Sequence, residues 1–352
     1  MSGRDVIVVG AGPSGLSAAI AAKARGLDYL VVEQGVLVNS IYRFPPQLVF
    51  FTTPELLEIG GLPLVSPYDK PTRTEALRYY RRVVDTYDLQ ISYGEQVLSV
   101  GRETGDQGGA FDAAPSVTVP GRGGAGALFA VETRTTRGVR RVRHSRHVIL
   151  AIGYYDHPVM LNVPGEYLPH VHHYQHDPHA CYRQRVVVVG GGNSAAEAAL
   201  ELFRAGAQVT LVHRRSELKS TIKYWVRPDI ENRIKDGSIA VRFNASVVEI
   251  RPTAVLVGPS TEAGQSGPVE ELAADTVFLL TGYRADSALM RGAGITLNDR
   301  EAPVHDPETF ETNVPGLFVA GGAIAGVDTG TIFIENGRFH GEKIIDVIAR
   351  RS

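Results

Sequence analysis

Two glycine-rich segments have the residue types and spacing of dinucleotide-binding turns. The first is Gly10-Ala11-Gly12-Pro13-Ser14-Gly15, and the second is Gly190-Gly191-Gly192-Asn193-Ser194-Ala195. Each follows an apolar run that predicts a buried parallel strand, and each opens a segment with helical periodicity. Glycine lets the backbone turn and approach a pyrophosphate at a helix N-terminus, where free N–H groups and the helix dipole favour anions. One such motif is weak evidence, but two with matched spacing predict two nucleotide sites.

The residues that follow the second strand of each unit distinguish the two sites. Glu33 stands 23 positions after Gly10, at the end of the apolar run Tyr29-Leu30-Val31-Val32. A carboxylate there suits the free ribose hydroxyls of NAD or of the adenosine end of FAD. The segment His213-Arg214-Arg215 begins at the same distance from Gly190, and three potential cations suit a 2′-phosphate. The second site is therefore predicted to bind NADPH, and the mid-chain position of that unit favours FAD over NAD at the first.

Composition limits the other function classes. The chain has 352 residues, of which 43% are hydrophobic and 21% charged, with a formal net charge of −2. This balance gives no sign of nucleic-acid or membrane affinity. The single cysteine, Cys181, excludes an internal disulfide or dithiol and fits a reducing compartment. With the first strand entered within five residues and no apolar run of membrane-spanning length, we expect a cytoplasmic protein.

The order of the predicted elements gives the domain organisation. Two buried strands that end in glycine turns, Val148–Gly153 and Val277–Gly282, flank the second nucleotide unit. We therefore predict an α/β fold with two Rossmann-like, three-layer dinucleotide-binding domains, the NADPH domain being inserted into the FAD domain. The expected boundaries are 1–155 for the first part of the FAD domain, 156–281 for the NADPH domain and 282–352 for the second part of the FAD domain. The stretch 101–126, rich in Gly, Ala and Pro, is predicted to be a surface loop insertion.

Two helices carry specific expectations. Thr72-Arg73-Thr74-Glu75 has the pattern of a capping box, and Leu77, Tyr80, Val84 and Tyr87 recur on one face of the helix that follows. A long amphipathic helix is predicted from Thr331 to about Arg350. We expect its N-terminus beside the flavin, where the helix dipole would stabilise negative charge on the reduced ring.

Three other groups of residues favour ordinary structural roles. The arginines at 137, 140, 141, 143 and 146 alternate along a predicted hairpin without interleaved aromatics, which favours a solvated face over a nucleic-acid site. Cys181 is expected to be an inert small residue. The histidines at 170, 172, 173, 176 and 179 fit no tetrahedral ligand spacing, so we expect a polar linker and no metal site.

Longer motifs indicate a family. The architecture, with a GGGNSA turn and a later His-Arg-Arg, resembles the thioredoxin-reductase-like two-dinucleotide flavoproteins. Four segments are similar to the bacillithiol-disulfide reductase family: Val38–Arg43, Leu57–Gly60, Lys223–Arg233 and Ile332–Gly341. These matches extend over nearly the whole chain outside 101–126. The resemblance implies noncovalent FAD, NADPH as hydride donor, and a homo-oligomer in low-molecular-weight thiol metabolism with a disulfide as candidate acceptor.

The resemblance also implies roles for particular residues: Glu33 and Gln34 would hold the FAD adenosine, Gly321 the pyrophosphate and ribityl region, and Thr331 with Ile332 the isoalloxazine. The residues expected to bind FAD are Gly10, Gly12, Pro13, Ser14, Gly15, Glu33, Gln34, Tyr42, Phe51, Val97, Gly153, Gly321, Thr331 and Ile332. Those expected to bind NADPH are Gly190, Gly192, Asn193, Ser194, Ala195, Glu197, His213, Arg214, Arg215 and Lys219. No catalytic side chain and no metal ligand is assigned.

The chain departs from the wider class in two ways. It has no Cys-x-x-Cys, and it has Gly322 where many flavoproteins of this class place Asp; the missing Asp is shared with the bacillithiol-disulfide reductase family and supports that resemblance. The departure from this family itself is Ser14, where its members commonly have a cysteine. A thiol at a helix N-terminus would be reactive, whereas a serine forms no mixed disulfide, so Ser14 is expected only to bind phosphate or to cap the helix.

The electron acceptor is not identified, so four functions stay open. The first is reduction of a disulfide of a small thiol or of a partner protein, and the second is a reductase for a ferredoxin- or flavodoxin-type carrier. A flavin monooxygenase is the third, although the segment before Gly190 lacks that family's Phe-x-Gly-x-x-x-His pattern. A nucleotide-sensing or structural protein that binds its cofactor without turnover is the fourth.

Overall fold

The computed structural model describes residues 3–103, 128–260 and 267–351. Most of the predicted insertion 101–126 falls outside these ranges. The α-helices are α1 Pro13–Ala24, α2 Asn39–Tyr42, α3 Arg73–Tyr87, α4 Asn193–Arg204, α5 Arg227–Lys235, α6 Ser287–Gly292, α7 Ile334–Gly337 and α8 His340–Arg351. The strands are β1 Arg4–Val9, β2 Tyr29–Val32, β3 Ile91–Ser92, β4 Glu95–Arg102, β5 Phe129–Thr135, β6 Arg140–Leu150, β7 Val171–His172, β8 Arg185–Val189, β9 Gln208–Val212, β10 Ala240–Arg242, β11 Ala245–Arg251, β12 Ala254–Pro259, β13 Glu270–Ala273, β14 Thr276–Leu279 and β15 Leu317–Val319.

The chain forms two compact units. The first unit comprises residues 1–42, 49–156 and 284–352, and the second comprises 43–48 and 157–283. The segment 43–48, expected in the first domain, groups with the second unit. Within the second unit the Gln47 side-chain amide donates to the Glu201 carboxylate at 2.6 Å, a side-chain contact that no local pattern encodes.

A mixed sheet organises the first unit. Its strand order is β3-β2-β1-β6-β5-β4, and β15 also pairs with β6. The pairs among β3, β2, β1, β6 and β15 are parallel, while β4, β5 and the first half of β6 form antiparallel hairpins. The long strand β6 therefore ends between β1 and β15, which brings three strand ends to one edge of the sheet.

The second unit has a helix layer, a parallel sheet and an antiparallel sheet. The parallel strands run in the order β10-β9-β8-β14-β7, and β11, β12 and β13 form a separate antiparallel sheet. The valines of β8 pack on both faces of the parallel sheet. Val186 and Val188 pack with α4, whereas Val187 and Val189 pack with β11 to β13. This period-two division explains a strand that is apolar at every position from 186 to 189.

The structure corrects two helix predictions. The capping box forms, since Thr72 accepts the Glu75 N–H at 3.2 Å and Glu75 accepts the Thr72 N–H at 2.7 Å. The face predicted for α3 was only partly right: its buried residues are Ala76, Tyr79, Tyr80 and Val83, while Leu77, Val84 and Tyr87 are half-buried.

The predicted helix Thr331–Arg350 is wrong as a single element. Helix α7 begins at Ile334, and α8 follows after a break at Arg338 and Phe339. The Asn336 side chain accepts the Phe333 N–H at 2.9 Å and donates to the Thr331 carbonyl at 3.0 Å. These bonds use the backbone groups that an earlier helical start would need, so Thr331 and Ile332 precede the helix.

The arginine-rich hairpin of β5 and β6 is not uniformly solvated. Arg143 makes two hydrogen bonds of 2.8 Å with the carboxylate of Glu95, whose side chain is 1% exposed. This guanidinium, with further bonds from Ser92 and Thr133, lowers the pKa of Glu95 to about 2. The prediction of a solvated face was therefore wrong for Arg143, because the buried carboxylate requires a charged partner.

Across the three described ranges, no helix is long and apolar enough to cross a membrane.

Candidate functional site

The first glycine turn lies between β1 and α1 and needs glycine at two positions. Gly10 has φ +105°, and a Cβ there would lie 2.5 Å from the Ala151 carbonyl oxygen. A Cβ at Gly15 would collide with the carbonyl oxygen of Gly10. The helix can therefore approach the strand end only because both side chains are hydrogen atoms.

The space in front of α1 fits an anionic group. Gly12 is the N-cap, Pro13 is the first helical residue, and no described side chain caps the helix or places an acid in its first turn. No described atom lies within 4 Å of a Cβ built at Gly12. Open room before uncapped N–H groups at the end of a 12-residue helix suits a pyrophosphate.

Glu33 directly follows β2 beside this turn and is 5% exposed. One carboxylate oxygen accepts the Ala11 N–H and the other accepts the Gly35 N–H, both at 2.8 Å. The carboxylate thus joins the turn to the end of β2, and ribose hydroxyls could use its further acceptor capacity. Gln34 is exposed and donates to Asp156 at 3.1 Å.

Ser14 does not cap α1, so the capping role expected as one alternative is wrong, while its expected bond to phosphate stays a prediction. Its hydroxyl donates to the Gly337 carbonyl at 2.9 Å, and a Cβ at Gly321 would collide with the same hydroxyl. The side chain instead joins the start of α1 to α7 and to the turn after β15. The cause is close tertiary packing with residues more than 300 positions away.

The turn after β15 is held by a buried histidine. Gly321 has φ +63°, and its N–H donates to Nδ1 of His340 at 3.1 Å. Burial, followed by the nearby Lys343 and His305, lowers the pKa of His340 to about 4. The imidazole is therefore neutral at physiological pH with Nδ1 as an acceptor, and it fixes the orientation of the Gly321 peptide.

The remaining residues assigned to FAD occupy different parts of the first unit. The Phe51 ring lies edge-on to Phe333, with ring centroids 5.4 Å apart, and Phe333 directly follows Thr331 and Ile332 in the chain. Tyr42 is exposed, and the Arg73 guanidinium lies 5.5 Å from its ring centroid. The Val97 side chain lies in the hydrophobic core, while Gly153 has φ +61° at the end of β6.

The second glycine turn repeats the geometry of the first. Gly190 has φ +152°, and a Cβ there would collide with the Leu280 carbonyl oxygen. The His213 ring occupies the space where a Cβ of Gly191 would lie. Gly192 is the N-cap of α4, where no described side chain caps the helix, and only the Lys219 side chain, at 3.8 Å, comes within 4 Å of its Cβ position. This turn also fits a pyrophosphate.

Asn193 and Glu197 hold a neighbouring segment. The Asn193 side chain accepts the Lys223 N–H at 2.9 Å and donates to the Thr221 carbonyl at 3.2 Å. Glu197 pairs with the Lys223 ammonium at 2.6 Å, and the Lys219 N–H donates to Gly191 O at 2.9 Å. The segment 219–223 is thereby fixed against the glycine turn, with Lys219 over Gly192.

Several cations surround this turn. Arg214, Arg215 and Lys219 are exposed, and His213 is buried beside them at the end of β9. Ser194 is exposed on the first turn of α4, and Ala195 is buried below it. The positive side chains follow β9, the strand next to β8, as a 2′-phosphate site would require.

Cys181 and the neighbouring histidines have structural contacts within the second unit. Cys181 is 1% exposed and packs in the core beneath α4, where burial raises the pKa of its thiol. His173 bonds the buried Glu166 at 3.0 Å, and His172 and His176 pack on Phe278. Within the described ranges, no group of three or more His, Cys, Asp or Glu side chains could hold a metal ion.

Four residues beside these turns are not among the expected site residues: Tyr154, His340, Lys223 and Phe333. Each reaches its place through tertiary packing. Lys223, Phe333 and His340 lie within the family-like segments Lys223–Arg233 and Ile332–Gly341, whereas Tyr154 lies in none of the four. Tyr154, directly after Gly153, could have been found from its position at a strand end.

Comparisons with known proteins agree with this architecture. A family model for pyridine nucleotide-disulphide oxidoreductase matches residues 7–108 and 124–321. The bacilliredoxin reductase Bdr of Bacillus subtilis (strain 168) is 40% identical over 352 residues, 99% of this chain and 98% of that protein. Solved structures of bacillithiol disulfide reductase Bdr from Bacillus cereus and Staphylococcus aureus are each 35% identical and cover 100% of both chains, with TM-scores of 0.89 and 0.86.

These matches confirm the resemblance, the predicted fold class and the two predicted cofactors. The two glycine turns, each before an uncapped helix, supply the structural fit for two dinucleotides. The chain belongs to the pyridine nucleotide-disulphide oxidoreductase family, is grouped there with the Bdr proteins, and is an FAD-dependent NADPH oxidoreductase.

Proposed function

We propose that the chain reduces a disulfide, of a low-molecular-weight thiol such as bacillithiol or of a partner protein that carries one, with electrons that leave the flavin directly. The full-length match to Bdr proteins supports the disulfide as acceptor. The observation that carries the direct route is that the only cysteine, Cys181, is buried and has a raised thiol pKa. One cysteine makes no internal disulfide, and a buried protonated thiol is a poor nucleophile.

In this proposal the first unit holds FAD and the second holds NADPH. The turn at Gly10–Gly15 with Glu33 supports the FAD assignment, and the turn at Gly190–Gly192 with the cations after β9 supports the NADPH assignment. The proposed domain boundaries are 1–155, 156–281 and 282–352, and the division of the chain into two compact units supports them.

The protein's residues bind and orient, and the cofactors carry the chemistry. FAD held at the first unit would supply the redox chemistry, taking a hydride from NADPH and passing two electrons to the acceptor. The reaction NADPH + H⁺ + RSSR → NADP⁺ + 2 RSH then balances, with one disulfide bond broken and two thiols formed. His340 keeps the Gly321 peptide oriented. Asn193 holds Thr221 and Lys223, and the Lys219 N–H bonds Gly191 O at the second turn.

Two further expectations belong to this proposal. A cytoplasmic location is supported by the free, buried cysteine, since reducing compartments keep thiols unpaired. A homo-oligomer is supported by the family resemblance and by large exposed apolar side chains in the first unit, including Leu56, Val65 and Tyr68. Light scattering measures the oligomeric state directly.

The test is reconstitution with FAD followed by NADPH oxidation with a panel of acceptors. We expect about one FAD per chain and turnover with bacillithiol disulfide or a mixed protein disulfide. Turnover only with a ferredoxin, a flavodoxin or oxygen would contradict the proposed acceptor. Cys181→Ser should retain full disulfide reduction, and its loss with FAD still bound would contradict direct transfer.

A further inference from the structure

Tyr154 lies at the edge of the first unit's sheet where three strands end. It follows Gly153 after β6, and β6 pairs in parallel with β1 on one side and β15 on the other. The turns after these neighbours begin at Gly10 and Gly321, and the Ala320 N–H donates to Leu150 O at 3.0 Å. Ligands of parallel sheets bind at the carboxyl ends of the strands, so Tyr154 stands at a ligand-binding edge.

The Tyr154 ring requires glycine at position 322. A Cβ on Gly322 would lie 2.8 Å from Cδ1 and 2.9 Å from Cε1 of this ring. Gly322 is not among the residues with positive φ, so its backbone conformation is open to any residue. The need for glycine at position 322 comes from space alone, and the ring occupies that space.

The Tyr154 hydroxyl reaches the segment that precedes α7. It donates to the Thr329 carbonyl at 3.3 Å, two positions before Thr331. Burial, and then the charge of Glu335, raise the pKa of this phenol, which keeps it protonated and a donor at neutral pH. Thr331 is tied in turn to Asp328 O at 3.0 Å and to Asn336. One side chain thus connects the turn after β15 with the segment 328–332.

We propose that Tyr154 is a positioning residue of the flavin site. Its ring sets the turn at Gly321–Gly322, and its hydroxyl sets the segment that carries Thr331 and Ile332. The inference rests on the proposed location of FAD in the first unit, and it names a contact that neither glycine motif contains.

The first test is Tyr154→Phe, which removes one hydroxyl and keeps the ring. A single hydrogen bond corresponds to roughly two- to ten-fold in affinity. We expect FAD to bind the apoprotein about that much more weakly, measured by quenching of flavin fluorescence, and the visible spectrum of the bound flavin to shift. Tyr29→Phe is the matched control. This buried tyrosine is the first residue of β2, at the opposite end of that strand from Glu33, and its hydroxyl accepts the Gln90 N–H at 3.2 Å. It should leave both flavin readouts at the wild-type values.

The second test uses Gly322→Ala in two backgrounds. In the wild type the added methyl meets the ring, so FAD affinity should fall by at least the effect of Tyr154→Phe. In the Tyr154→Ala background the ring no longer fills the space beside position 322. Gly322→Ala should then change FAD affinity much less, so the two substitutions should be non-additive.

Equal losses in the two backgrounds, or a Tyr154→Phe variant with wild-type affinity and spectrum, would overturn this role for Tyr154 while leaving the FAD site in place. A wild-type protein that binds no FAD would instead overturn the proposed FAD site itself. Tyr154→Phe keeps the first test decisive even if Tyr154→Ala does not fold.

Discussion

At the scale of single residues, we expect the charge after β9 to set which nicotinamide dinucleotide is preferred. Arg214 and Arg215 are exposed next to the buried His213, and Lys219 lies over Gly192. An ammonium or guanidinium that bonds a 2′-phosphate does so with a charge-assisted bond, which is shorter and stronger than a neutral one. NADPH carries that phosphate and NADH does not.

Arg214→Ala should therefore remove most of the preference for NADPH. A charge-assisted bond is worth about 1.5–3 kcal/mol, so the ratio of NADPH to NADH efficiency should fall about ten-fold or more. Stopped-flow reduction of the bound flavin by each dinucleotide measures this ratio. Arg82→Ala, an exposed arginine on α3 of the other unit, is the control and should leave the ratio unchanged. An unchanged ratio in Arg214→Ala would count against the assignment of this arginine.

At the scale of elements, α1 and α8 cross at unusually short range. A Cβ on Gly341 would meet the backbone, with Ser14 O at 2.5 Å and Ala18 Cα at 2.8 Å. Ser14 bonds Gly337, and the Gly321 Cα lies 3.2 Å from a Cβ built at Gly337. The small residues at 14, 321, 337 and 341 thus let the last helices rest on the N-terminus of the first.

Gly341→Ala should destabilise this crossing although alanine is the better helix former. Overpacking against backbone typically costs about 1–3 kcal/mol, more than the roughly 1 kcal/mol that the helix propensity of alanine returns. Gly292→Ala is the matched control, since Gly292 ends helix α6 and no described atom lies within 4 Å of its Cβ position. Urea unfolding of both variants compares the free energies. A Gly341→Ala variant at least as stable as Gly292→Ala would contradict the close crossing.

The elements also show how far sequence patterns reach. The strands β1, β2 and β8 and the capping box of α3 follow from apolar runs and from Thr72 with Glu75, because these signals are local. The division of the last segment into α7 and α8 does not, since Asn336 competes for backbone groups of Thr331 and Phe333 and the close approach at Gly337 is tertiary. Hydrophobic periodicity continues through such a break, so it predicts one helix.

At the scale of the whole molecule, acid should destabilise the fold through His340. Its neutral imidazole joins α8 to the turn after β15 and stacks on Phe310, with ring centroids 4.3 Å apart. Lys343 and His305 face it, and both charges disfavour its protonation. The unfolded chain takes up this proton below pH 6.5, whereas the folded protein does so only near pH 4. Because the unfolded state binds more protons in this window, the contribution of His340 to stability is lost progressively as pH falls from about 6.5 to about 4.

Thermal unfolding across pH 4 to 7 tests this, with His340→Gln as the variant, because its side chain offers an acceptor that does not titrate. The fall in melting temperature over the window should be smaller in His340→Gln than in the wild type. His179→Gln, an exposed histidine, should retain the wild-type slope. Parallel slopes for all three proteins would show that the protonation of His340 is not coupled to folding.

The sequence by itself determined the two glycine turns, the carboxylate at Glu33, the cations at 213–215 and the insertion of one nucleotide unit into the other. These are local signals. A tight turn needs small residues, and the side chain that follows a strand carries the group that the nucleotide needs, a carboxylate for ribose hydroxyls or cations for a 2′-phosphate. Only the tertiary structure decided the partner of Ser14, the ring of Tyr154 against Gly322, the hydrogen bond from Gly321 to His340 and the hold of Asn193 on residues 219–223. Each of these last four joins segments that are distant along the chain, and no residue's type or spacing encodes which remote backbone atom its side chain will meet once the layers pack.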